Sequence, residues 1–392
     1  MRTVGGFVVA LSLARATLAA QSGAFIVRLG TDTLFVEQYM RRGTDLQGDQ
    51  VARATGATFL RHFTATLDRR GNVVRYALTA RPAAHPDAPA RTLQVRFEAD
   101  TANIEFEAGD TSRSQRLWMP GGALPLVPRS YAMLELVTRQ AQASHRQSFV
   151  APVLSLTTLA PIAATITRGA GDTLTLVIGD AAPVRLLVDS AGLILGASGV
   201  GTTEQVHVDR VRAVDIATIA HEFADRPLGQ LSPPDSVRAT IAGARIAIDY
   251  SRPAMRGRKI FGDLVPWNQV WRTGANAATR FTTSADLLMG GKTVPSGSYT
   301  LWTLPTPTGW KLIINKRTTA PCQGDACTRA ARPPLWGTDY APDSDLVRVD
   351  LELERLEHPL ERFTITLEPH GRGGVFALAW ETTRASLPFT RK

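Results

Sequence analysis

The sequence predicts an all-β protein of two domains, on three observations. Apolar and polar residues alternate with period two along most of the chain, helical periodicity is confined to one segment, and a Pro/Gly-rich stretch near residue 230 coincides with a step in composition. At 392 residues the chain is also longer than one ordinary domain.

The alternation is clearest where residues of one parity are apolar and their neighbours are not. Leu93, Val95 and Phe97 alternate with Gln94, Arg96 and Glu98, and Leu174, Leu176 and Ile178 repeat the pattern. Side chains of successive residues leave a strand on opposite faces, so such runs are strands with one wet face. Turn chemistry at Gly71-Asn72, Gly109-Asp110 and Gly171-Asp172 separates them. Short strands with few helices predict an antiparallel curved sheet or sandwich for residues 22–225. The exception runs from Ser130 to Ala143, where Met133, Leu136, Val137 and Ala141 share one helical face. It predicts one helix packed on this first sheet.

Residues 226–236 carry three prolines and a glycine and are the expected linker. Six of the seven tryptophans and all five lysines lie beyond it. There Val347, Val349, Leu351 and Leu353 alternate with charged residues, as do Phe363, Ile365 and Leu367 with threonines and Glu368. Residues 237–392 are therefore expected to form a β-sandwich.

Residues 1–20 read as an export signal. Arg2 precedes the apolar run Phe7–Ala14, and small residues end at Ala20; Arg15 shortens the apolar stretch. A periplasmic or secreted protein is the expectation. Cys322 and Cys327, with Gly324 between them, suit a small disulfide ring in an oxidising compartment. No stretch approaches the length of a membrane helix.

The formal charge is +9, but only five of the 44 basic residues are lysines and the arginines are scattered. That is the mark of coding bias rather than of nucleic-acid binding, and no nucleic-acid partner is expected. Enzyme motifs are incomplete. Gly290-Gly291-Lys292-Thr293 lacks the upstream glycine of a phosphate loop, because Asp286 stands there. His221-Glu222 lacks its second histidine, since the position is Asp225. His207 with Asp209, and Asp339 with Asp343 and Asp345, read as solvated contacts or arginine partners. No metal and no cofactor is expected.

One segment departs from this background. Residues 251–281 hold six basic residues against the single acid Asp263, a local excess of five. Arg256-Gly257-Arg258 sets two guanidinium groups about a glycine, where backbone N–H groups can also converge on an anion. Pro253 holds Arg252 extended. Trp271 and Arg272 leave a strand on opposite faces, so one is core and the other surface. Gly274-Ala275-Asn276 permits a left-handed turn that aims Asn276.

The string SRPAMRGRKIFGDLVPWNQVWRTGANAAT at 251–279 resembles the bacterial family catalogued as domain of unknown function 2911. GGKTVPSGSYTLWTLP at 290–305, WKLIINK at 310–316, and Trp336-Gly337 with Tyr340 fit the same resemblance. It covers roughly residues 235–385, with Cys322–Pro334 as a loop insertion. The resemblance implies an exported bacterial β domain and brings no reaction with it.

Function is not determinable from these residues, and three readings stand. The first is an envelope protein binding a small anionic or glycan ligand through Arg252, Arg256, Arg258, Trp271, Arg272, Asn276, Trp302, Lys316, Trp336 and Tyr340. The second is a hydrolase or lyase using Asp263, Tyr340 and Arg272. The third is a structural or interaction protein of the envelope. Against all three stands a buried structural network, in which the arginines pair with carboxylates of neighbouring strands and the tryptophans are core.

Overall fold

Alternation is carried into strands along most of the described residues. The computed structural model describes residues 20–119, 123–127, 129–199, 205–320 and 335–392. All but the last residue of the expected export segment, and both Cys322 and Cys327, lie outside the described residues.

The first fifteen strands form one sheet. From Gln21–Leu29 an antiparallel meander runs outward to Thr111–Trp118. A second arm begins at Leu124–Leu126, parallel to Ser148–Ser155, and returns to His207–Val211. That last strand pairs with the first, Ala24 opposite Val211 and Ile26 opposite Asp209, so both ends of the unit meet in mid-sheet.

Helix α1 (Tyr131–Ser144) is wrapped by the sheet. Nine of its fourteen residues are buried, including Glu135, which is more than the single apolar face expected. A helix covered on most sides needs partners for its polar groups. Ser130, the N-cap, makes no side-chain cap of its own. Glu37 of the sheet substitutes for it, accepting from Ser130 Oγ at 2.7 Å and Ala132 N at 2.8 Å. Glu135 accepts from Tyr39 Oη and Ile194 N and is ion-paired with Arg210. A second helix, α2 (Ile216–Glu222), was not expected. Asp215 caps it, accepting from Thr218 N at 3.0 Å, and its apolar residues cover Val36 and Val51 on the other face of the sheet.

The remaining nine strands form a second sheet, from Pro234–Ile241 at one edge to Lys292–Val294 at the other. The two layers expected of a sandwich come from this one sheet doubled over. Asp345–His370 is bulged between Arg355 and Leu360, and again before Thr364. Its first half pairs with Trp310–Asn315, and its second half brings Ile365 N within 3.1 Å of Tyr250 Oη. Inside, Trp271 stacks on Trp380 at 5.9 Å, and Phe261 meets Trp310 edge-on at 4.5 Å.

Burial raises the pKa of Glu37 from 4.5 to about 7, against the hydrogen bonds it accepts. The folded state therefore keeps a proton that the unfolded chain releases. This contribution is fully present below pH 4.5 and is lost as pH rises through 7, on the order of 3 kcal/mol. Urea unfolding between pH 5 and 7 checks it: Glu37→Gln flattens the decline of stability with pH, and an unchanged slope contradicts the assignment.

Candidate functional site

Residues 252–278 leave the sheet after Ala244–Ser251 and rejoin it at Thr279–Thr283. The excursion is anchored by its apolar residues. Ile260, Phe261, Leu264, Val265 and Trp271 are all buried in the second core. Trp271 exchanges backbone hydrogen bonds with Thr303, at 2.7 and 2.9 Å. The choice left open between Trp271 and Arg272 resolves as Trp271 inward. Trp302 is 1 % exposed and its indole N–H donates to Thr300 Oγ1. Neither tryptophan presents a stacking wall to solvent.

The arginines are individually held. Arg252 pairs with Asp235 at 3.2 Å and donates to Phe363 O and Thr364 Oγ1. Arg256 is ion-paired with Asp32 of the first unit. Arg258 donates to the carbonyls of Met255 and Ala254. The backbone nest expected at Arg256-Gly257-Arg258 is occupied from within: Arg256 N donates to Glu361 and Arg258 N to Met255 O. Burial, with the neighbouring Arg256 charge, holds the pKa of Arg258 below the ordinary arginine value.

The expected residues fall into two groups. Arg256, Arg258 and Asn276 line one cleft of about 270 Å³, and Asn276 adopts the left-handed conformation expected of its turn, φ 61°. Arg272 runs beneath Gly337, and burial lowers its pKa. Trp336 is half exposed, bridged through its backbone to Ala277. Tyr340 packs on Trp302, while its hydroxyl donates to Asp345 and accepts from Arg348. Burial and Asp345 push the Tyr340 phenol up to about 12. Lys316 is exposed. Asp263 sits in the tight turn after Ile260, and among the described residues no hydrogen bond joins it to Tyr340 or Arg272.

The rest of the cleft comes from residues the sequence did not single out. Thr55, Gln230 and Ser232 line it beside Arg256 and Arg258. Through Thr55 and Leu231 it adjoins a second cleft of about 320 Å³ that holds Arg53, Arg61 and Arg129. Five arginines and no carboxylate line the two.

The wall of the first cleft at Leu29 and Arg256 depends on a close backbone approach. Thr31 N donates to Arg256 O at 2.9 Å, and a Cβ on Gly30, φ +59°, would lie 1.9 Å from that oxygen. Gly43 has the same φ and nothing within 4 Å. Gly43→Ala therefore costs only the left-handed strain, about 1 kcal/mol, while Gly30→Ala costs at least about 1 kcal/mol more. Chemical denaturation of the two variants is the check, and equal losses contradict the contact.

Comparison with known proteins places part of the chain. No curated protein matches it. A crystal structure of a DUF1089 family protein from Pseudomonas aeruginosa aligns at 15% identity and TM-score 0.33, covering 42% of this chain and 89% of that one. The beta-barrel-like protein of domain of unknown function DUF1849 from Brucella abortus aligns at 9% identity and TM-score 0.35, covering 50% and 97%. No family model matches the N-terminal region, whereas residues 232–389 match the model of the family described as "Protein of unknown function (DUF2911)".

Proposed function

We propose that the chain is an exported envelope protein that binds a small anionic ligand in the arginine-lined clefts beside the segment that joins the two sheets. The observation that carries this is the lining: Arg53, Arg61, Arg129, Arg256 and Arg258 face the two adjoining clefts, with no carboxylate among the lining residues. Their combined charge attracts an anion. Arg256 is already paired with Asp32, and Arg53 donates to the Thr33 and Arg226 carbonyls. Arg61, by contrast, makes no hydrogen bond among the described residues and offers planar donors to a carboxylate or phosphate. A carbohydrate is the less favoured ligand, because Trp271 and Trp302 are buried and Trp336 does not line either cleft. The expected export segment and the small disulfide ring belong to the same reading, as features of a protein working outside the cytoplasm.

Thermal shift and calorimetry with citrate and inorganic phosphate test the binding. The expected result is stabilisation by at least one of them, weakened about tenfold or more in Arg61→Gln, because a charge-assisted hydrogen bond contributes about 1.5–3 kcal/mol. No stabilisation by either anion, or equal affinity in the variant, removes the proposal. Rising salt should weaken binding, since the clefts open to solvent.

A further inference from the structure

The inner face of the first sheet carries a cation in phase with apolar residues. Along Thr58–Leu67 the residues of one parity are Phe59, Arg61, Phe63, Ala65 and Leu67, of which the last three are buried. Arg61 is half-buried among them, and among the described residues its side chain has no hydrogen-bond or ion-pair partner. Burial chiefly, and the nearby Arg129 charge, lower its pKa, with Tyr76 opposing. A desolvated guanidinium with no counter-charge among the described residues is unfavourable unless another group satisfies it.

Beside Arg61 opens a groove of about 280 Å³, walled by Phe59, Leu78, Leu93, Phe106, Val127 and Leu156. These come from four neighbouring strands and from the chain following Leu124–Leu126 and Ser148–Ser155. At its rim the Arg91 guanidinium lies over the Phe59 ring, 5.8 Å from the centroid. Arg61 and Thr157 line both this groove and the arginine-lined cleft of about 320 Å³. The groove is thus apolar along its walls and cationic at its mouth. Its volume is at the small end for ligand pockets, which suits one chain.

We propose that the ligand is a single-chain amphipathic anion, an alkyl carboxylate whose head pairs with Arg61 and whose chain lies in the groove. This rests on the anion-binding reading above and names the ligand class for it. Charge complementarity selects the head, and apolar burial selects the tail. Glycan and peptide ligands lack the long apolar segment that the six walls would cover.

The test is calorimetric titration of the protein with hexanoate, octanoate and decanoate, each below its micelle concentration, and with citrate and decanol as separate arms. Affinity is expected to rise about fourfold per methylene as apolar surface is buried. Arg61→Gln should weaken decanoate about tenfold or more and leave decanol unchanged. Ala80→Phe, which fills the groove without removing a charge, should weaken decanoate and decanol alike. Carboxylates that bind with no dependence on chain length overturn the proposal, as does decanoate binding equally to the wild type and both variants. If citrate binds while the carboxylate series is flat, the amphiphile is wrong and the anion site stands; if neither citrate nor carboxylates bind, both fail.

Discussion

The Arg256 carbonyl and side chain join the two halves of the molecule. The carbonyl accepts from Thr31 N, and the guanidinium is ion-paired with Asp32 on the strand that follows. Both partners belong to the hairpin whose Gly30 has no Cβ to obstruct the approach. A charged pair with one member well buried depends on accurate geometry, because desolvation offsets much of the attraction. Arg256, φ 51°, and Gly257, φ 70°, are both left-handed, so the backbone is folded to present that carbonyl. The cleft beside it inherits its shape from this contact: move the hairpin, and Leu29 and Thr55 no longer face Arg258 and Asn276.

Behind the contact stands the aromatic centre of the second sheet. Phe261 touches Trp267, Trp271, Trp310 and Trp380, and Phe363 meets Trp271 and Trp380. Rings of this size dominate the energetics of a core and set their own geometry. They hold a backbone excursion of 27 residues that has almost no regular structure, which is how a loop rich in arginine and glycine stays in one place. On the first sheet the same task falls to Glu37 and Glu135, two buried acidic side chains that fix α1 through hydrogen bonds and one ion pair.

Much of the fold was legible because alternation is a local property. Leu93–Phe97, Leu174–Ile178 and Val347–Leu353 all lie in strands. Helix α2 was missed because seven residues carry too little periodicity, though Asp215 three positions before Thr218 was a capping signal. The doubling of the second sheet rests on bulges near Arg355 and Leu360, which no residue pattern announces. The basic segment stood out by charge, yet its ion pairs were not readable, since Asp32 lies 224 residues from Arg256. Arg61 had a signal that went unused: it interrupts Phe59, Phe63, Ala65 and Leu67 at their own parity. An inward-phase charge in an otherwise apolar face is a stronger indicator of a site than a run of exposed ones.

The central claim is that the arginines at the junction hold an anion rather than merely bracing the loop. Anomalous diffraction from crystals soaked in selenate addresses it whatever the native ligand is. The account predicts the strongest selenium peak in the clefts, with selenate oxygens about 3 Å from the guanidinium nitrogens of Arg61 or Arg258. Selenate confined to exposed surface arginines, with the clefts empty, would contradict it.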